Sequence, residues 1–161
     1  MNKLKKQFAI QESYGEQFQY CWGCGPKNIE GMHLKSYPTE DGEKCICHFV
    51  PPHQYTGGIP NKLFGGMIAM IFDCHGTASA AWFALKNTNI EFTEHTIIDR
   101  FITAKLEVNY KRPVPMDTEL TVLSSIEKID KNKLTIYMEM SAKQLIRATA
   151  RMIAVKAKDM V

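Results

Sequence analysis

The 161-residue sequence points to an α+β fold in which an antiparallel sheet wraps around one long central helix. Residues Met67 to Leu85 are rich in Ala, Met, Leu and Phe, which favour helix. Their apolar character runs most of the way around, so protein must surround this helix on most sides. Ile102, Ala104, Leu106, Val108 and Tyr110 alternate with Thr103, Lys105, Glu107 and Asn109, the period of two of a half-buried strand. Leu134, Ile136, Met138 and Met140 alternate in the same way with Thr135, Tyr137 and Glu139. Helix and strands are segregated along the chain, which is the α+β pattern.

In chain order, residues 1–20 are an N-terminal extension, with a short helix expected over Tyr14 to Tyr20. Cys21-Trp22-Gly23-Cys24-Gly25-Pro26 is turn chemistry. Met32 to Tyr37 and Glu43 to Val50 read as strands on either side of a Pro38–Gly42 turn. Pro51-Pro52 stops the second strand. His53 to Lys62, with Gly57-Gly58 and Pro60, reads as an irregular loop, and Gly65-Gly66 opens the helix. Four strands follow: the one ending at Tyr110, Glu119 to Ile126, the stretch from Leu134 to Met140, and a last one marked by Ile146, Ala148, Ala150, Met152 and Ala154. The prolines of Lys111 to Pro115 break the chain after the first of these, and Asp130-Lys131-Asn132-Lys133 is a polar turn. One such unit leaves sheet edges and part of the helix uncovered, so dimerisation is expected.

The length fits a single domain spanning residues 1–161. With 45% hydrophobic residues the chain is too apolar for a disordered tail, and a net charge of +3 is too weakly basic for a dedicated nucleic-acid binder. Residues 1–100 carry a net −1 and residues 101–161 a net +4, so a small anionic ligand suits the second part. Asp73 and His75 interrupt the apolar segment, which would be costly in lipid; a buried helix is expected rather than a membrane span. Met1 to Gln7 is charged and no apolar run follows, so no secretory signal is expected. The five cysteines are an odd number and favour a reducing cytoplasm over a disulfide scaffold.

These residues resemble a known family, the hotdog-fold acyl-CoA thioesterases of the phenylacetate-pathway (PaaI-like) type. The resemblance rests on an ordered set: Cys21-Trp22-Gly23-Cys24-Gly25-Pro26 followed by Asn28, Gly31 and Leu34; Gly65-Gly66; Asp73; and Asn109-Tyr110-Lys111-Arg112-Pro113-Val114-Pro115. It runs from about Cys21 to Val155. It implies a hotdog fold, a homodimer that can pair into a tetramer, an acyl-CoA substrate, and no cofactor or catalytic metal.

Thioester hydrolysis needs a polarised carbonyl and an activated water or carboxylate nucleophile. Free N–H groups at a helix N-terminus can polarise the carbonyl, and glycine admits close approach to that backbone. Gly66, with Gly65, is the candidate; a plain helix start is the alternative. Asp73 is a carboxylate in a very apolar helix, where burial without a partner is costly. It has either a structural partner or a chemical task, and the resemblance implies that it is the base or nucleophile. Gly66 and Asp73 are seven residues apart. They share one helix face but stand roughly 10 Å apart along the axis. Both must sit about 3 Å from the reacting centre. A dimer with antiparallel helices side by side can pair Gly66 of one copy with Asp73 of the other.

Thr103 matches a strand position that is Ser or Thr in related enzymes, where it orients the water; an ordinary strand Thr is the alternative. It shares a face with Lys105 and Glu107, so a bulge or a covered face is needed to turn it inward. Thr77, four residues after Asp73, is placed to hydrogen-bond it. His75 lies about 200° around the helix from Asp73, a poor position for a direct dyad, and is the last of the supporting catalytic candidates, after Thr103 and Thr77. Many family members have His before the Gly-Gly, where this chain has Phe64, and an Asn or Gln in the preceding loop, for which Asn61 is the candidate. The missing His makes a non-catalytic acyl-CoA-binding protein the rival reading, ahead of a hotdog hydratase or dehydratase.

Lys111 and Arg112 are candidates to meet coenzyme A phosphates, or are a solvated surface pair. Trp22 is a candidate to shape the acyl pocket. Cys21, Cys24, Cys45 and Cys47 could together supply four zinc ligands, with buried structural thiols as the expected reading.

Overall fold

The structure, a computed structural model, describes residues 8–157; the charged start Met1 to Gln7 lies outside the described residues. Strands β1 (Ser36–Pro38) and β2 (Cys45–Phe49) precede helix α1 (Gly65–Lys86). Strands β3 (Phe101–Tyr110), β4 (Leu120–Asp130), β5 (Lys133–Ala142) and β6 (Leu145–Lys156) follow it. The six strands form one sheet in the order β1-β2-β4-β5-β6-β3, every neighbouring pair antiparallel. Helix α1 lies on one face and packs against all six strands.

The core forms between that face and the helix. Leu134, Ile136, Met138 and Met140 of β5 are buried, as alternation requires, with Leu120 and Val122 of β4 beside them. Ala148, Ala150 and Ala154 of β6 are small and let the helix come close. At Gly76 a methyl group would stand 2.7 Å from Met152 Sδ and 3.0 Å from Met138 Cε. Glycine there sets the spacing between helix and sheet. Cys74 to Ala81 are buried without interruption. Of the described helices, α1 alone is long and apolar enough to cross a membrane, but it is the core of this domain.

Several element boundaries differ from expectation. The short helix at Tyr14 to Tyr20 is only a 3₁₀ turn, Glu16–Phe18, after another at Ile10–Ser13. Strand β1 is shorter than Met32 to Tyr37 because Met32 and Leu34 donate their N–H groups to the carbonyls of Trp22 and Gly23 instead. Strand β4 runs past Ile126 to Asp130, since its polar end pairs with Lys133–Thr135 across the tight turn. The sheet ends in a three-residue strand at β1 and a ten-residue strand, β3, at the other edge.

Candidate active site

Asp73 lies on α1 with its carboxylate half-buried, and Thr103 Oγ1 donates to its Oδ1 at 2.5 Å. The bond depends on a bulge in β3. Thr103 pairs with Ala154 and Lys105 with Ile153, so Ala104 has no partner on β6. The extra residue shifts the alternation. Phe101 and Thr103 face the helix before it; Leu106 and Val108 are half-buried and pack against the core after it. Ile102 and Ala104, expected inward by alternation, are exposed, and Lys105 pairs with Glu107 at 3.1 Å on the outer side. Thr103 also reaches Met152 Sδ at 3.9 Å.

The start of α1 is open. Phe64 is the N-cap and provides no side-chain cap. Its carbonyl accepts from Met67 and Ile68, while no bond among the described residues involves the N–H of Gly65 or Gly66. Those N–H groups sit at the positive end of the helix dipole. Tyr110 donates to the Gly65 carbonyl at 3.1 Å, tying β3 to the helix start. The Phe64 ring lies against the Gly66 Cα, where a side chain at Gly66 would run into it. Gly65, Gly66, Ala69, Met70 and Asp73 are the residues of the first helical turns that are not buried.

Beside the helix start is an open cleft of about 380 Å³. Phe64, Gly65, Tyr110, Lys111 and Arg112 line it, as does Lys62, a cation the sequence reading missed because nothing local separates it from a loop lysine. Three cations against an apolar wall suit a phosphate-bearing ligand. Arg112 also donates to the Ile146 carbonyl at 3.1 Å. Asn61 is outside the cleft lining; its φ is 58° and its carbonyl accepts from Met116. Trp22 is not in the lining either, and packs edge-on to Tyr55 with centroids 6.1 Å apart.

Two site expectations need correction. Thr77 does not reach the Asp73 side chain: its hydroxyl turns back to the carbonyls of Asp73 and Cys74, at 3.1 and 3.2 Å, as helix interiors allow. It accepts instead from Arg100 at 3.1 Å. His75 faces the opposite way, fully buried, with Nδ1 2.9 Å from Ser36 Oγ. Gln11 Nε2 also donates to the Ser36 oxygen. Burial pushes the His75 pKa down from 6.5 to about 3, outweighing a backbone contact at Cys45 that raises it. It is a neutral core histidine.

The four cysteines Cys21, Cys24, Cys45 and Cys47 do not converge. Cys45 and Cys47 are buried on the helix-facing side of β2, and burial pushes each up to about 12. Cys21 and Cys24 meet Cys74 of α1 instead. The contact joins a loop to a helix fifty-three residues away, so no spacing announces it.

The family model described as the thioesterase superfamily matches residues 61–149. No protein of curated function matches the chain. A thioesterase superfamily protein from Shewanella loihica PV-4 is 34% identical, with a TM-score of 0.63 over 78% of this chain and 91% of that one. The Escherichia coli PaaI protein, from the phenylacetic acid degradation operon, is 12% identical with a TM-score of 0.57, over 72% and 74%. A hypothetical thioesterase from Streptococcus pneumoniae TIGR4, solved with coenzyme A, is 9% identical with a TM-score of 0.58, over 71% and 82%. A six-stranded antiparallel sheet around one buried helix, the open Gly-Gly helix start and these matches agree: the chain belongs to the thioesterase superfamily and has the hotdog fold.

Proposed function

We propose that the protein hydrolyses acyl-CoA thioesters at a site shared between two copies of the chain. The observation that carries this is the Asp73 carboxylate, oriented by Thr103 at 2.5 Å, on the same open helix stripe as the unpartnered Gly66 N–H. Rise along the helix keeps Gly66 and Asp73 of one chain roughly 10 Å apart, so a second copy supplies the other half. The unpaired outer edge of β3 is where two sheets can join.

The Gly66 N–H, with that of Gly65, donates to the thioester carbonyl oxygen and stabilises the negative charge that develops there. Asp73 takes a proton from water as it attacks the carbonyl carbon, or attacks directly and is then freed by water. The C–S bond breaks, and the thiol leaves as coenzyme A with the proton. Thr103 holds the carboxylate in position. Lys62, Lys111 and Arg112 meet the phosphates of coenzyme A, as the coenzyme A complex of the Streptococcus pneumoniae relative makes reasonable. Five free thiols and a coenzyme A ester both suit a reducing cytoplasm.

A second reading has its own observation. The Phe64 ring against Gly66 narrows the approach to the amide, which suits a protein that binds acyl-CoA without cleaving it. Hydratase chemistry has less support, because His75 faces away from Asp73. Thiol release from an acyl-CoA panel separates the readings. Hydrolysis by the wild type and its loss in Asp73→Asn support the enzyme. Binding with no release above background by either protein favours the binder.

A further inference from the structure

The Cys21–Gly25 loop closes tightly on itself. Gly25 N–H donates to the Cys21 carbonyl at 2.7 Å, and the backbone amides of Gly23 and Cys24 hydrogen-bond to the Cys21 side chain. Residues 32–34 clip the loop in place, with Met32 N–H to the Trp22 carbonyl at 2.8 Å and Leu34 N–H to the Gly23 carbonyl at 3.0 Å. A side chain at Gly23 would collide with Cys74 Sγ. Its absence lets the helix thiol enter the loop. The Sγ atoms of Cys21, Cys24 and Cys74 all lie within 4.8 Å of one another, and those of Cys21 and Cys74 are 3.9 Å apart.

Around a tetrahedral zinc ion with Zn–S bonds of about 2.3 Å, neighbouring sulfurs stand roughly 3.8 Å apart. The three thiols therefore present nearly one face of such a tetrahedron. The charge also balances. A zinc ion with three thiolates carries a single net negative charge. Arg100 is within electrostatic reach of all three sulfurs, held over the Tyr14 ring at 4.8 Å and bonded to Thr77 one turn along α1. Cys45 and Cys47 are fully buried, more so than Cys21, and stand outside the cluster, so burial of thiols does not by itself account for the convergence.

We infer that Cys21, Cys24 and Cys74 form a thiolate site for Zn²⁺, with the fourth position taken by solvent or another small ligand. The ion clasps the N-terminal loop to α1 one residue after Asp73. This role is structural and does not depend on the hydrolytic reading.

The test uses the full, untagged chain, expressed with added zinc and purified without chelator. Elemental analysis is expected to find roughly one zinc per chain, as for other structural sites. Cys74→Ser and Cys21→Ser should each lose most of it, while Cys45→Ser keeps it. Should the first two variants not fold, cobalt titration of reduced wild type decides, because bound Co²⁺ gives a thiolate charge-transfer band. Less than about a tenth of an equivalent of zinc with no such band overturns the proposal. So does copper or iron at full occupancy, equal loss of zinc in Cys45→Ser, or a disulfide within the trio in protein kept under reducing conditions.

Discussion

Thr103 Oγ1 donates to Asp73 Oδ1 across 2.5 Å, a contact that exists because β3 carries one extra residue at Ala104. The bulge turns a strand hydroxyl toward the helix at the single acidic position of α1. A hydrogen bond to a charged group contributes about 1.5–3 kcal/mol. Asp73→Asn should lower kcat by about 10²–10⁴-fold, the range of a positioned general base. Thr103→Val removes only the orienting bond and should cost roughly 10–100-fold. Thr103→Ser keeps the hydroxyl and should stay close to wild type. Steady-state thiol release by the four proteins checks the order; full activity in Thr103→Val would remove Thr103 from the mechanism.

Lys62, Lys111 and Arg112 line the cleft beside the helix start. Exposed charge pairs contribute about 0.2–1 kcal/mol each, so each single Ala variant at Lys62 and Lys111 should raise KM by a few-fold and leave kcat unchanged. Added salt should raise the wild-type KM and narrow the difference between proteins, because it screens exposed charges. An unchanged KM in the double variant would mean that the coenzyme binds elsewhere.

The large pattern of the fold is legible in the sequence because burial imposes a period. The alternation from Leu134 to Met140 and the apolar run through Ala78 to Ala81 mark the faces that meet in the core. Asp73, Gly66 and the Lys111-Arg112 pair are legible because a carboxylate in an apolar helix, a helix start and a strand end are local features. Ala104 is not: an alanine looks the same on either face, so the bulge appears only as a conflict between Thr103 and its neighbours. Cys74 and His75 are also hidden. One meets a loop and the other a strand, Ser36, thirty-nine residues away, and helix periodicity says which way a side chain points but not what it finds there.

His75 makes acid stability testable. Its folded pKa of about 3 lies below the ordinary 6.5, because burial opposes the charged form. Above 6.5 neither state is protonated at this site. Below 6.5 the unfolded chain takes up a proton that the folded chain refuses, so stability falls as pH drops from 6.5 toward 3, by up to about 1.4 kcal/mol per pH unit. Melting curves of the wild type should show a lower Tm at pH 4.5 than at pH 7. His75→Gln carries no titrating ring and should lose less over the same interval, whatever its Tm at pH 7. Parallel declines in the two proteins would assign the acid limb to other groups.

The shared site is testable by mixing. Gly66→Val blocks approach to the helix amide, and Asp73→Asn removes the carboxylate; each variant alone should be nearly inactive and folded by circular dichroism. In a mixed dimer, one of the two sites draws Gly66 from the Asp73→Asn chain and Asp73 from the Gly66→Val chain, and is intact. The other site carries both defects. After unfolding and refolding an equal mixture, about half the dimers are mixed and one site in each works, so recovery of roughly a quarter of wild-type activity is expected for a two-fold symmetric pair. A site contained within one chain predicts no recovery, because every chain in the mixture carries a defect. Co-refolding followed by thiol-release assays distinguishes the two outcomes without knowledge of the acyl group, provided any acyl-CoA is turned over by the wild type.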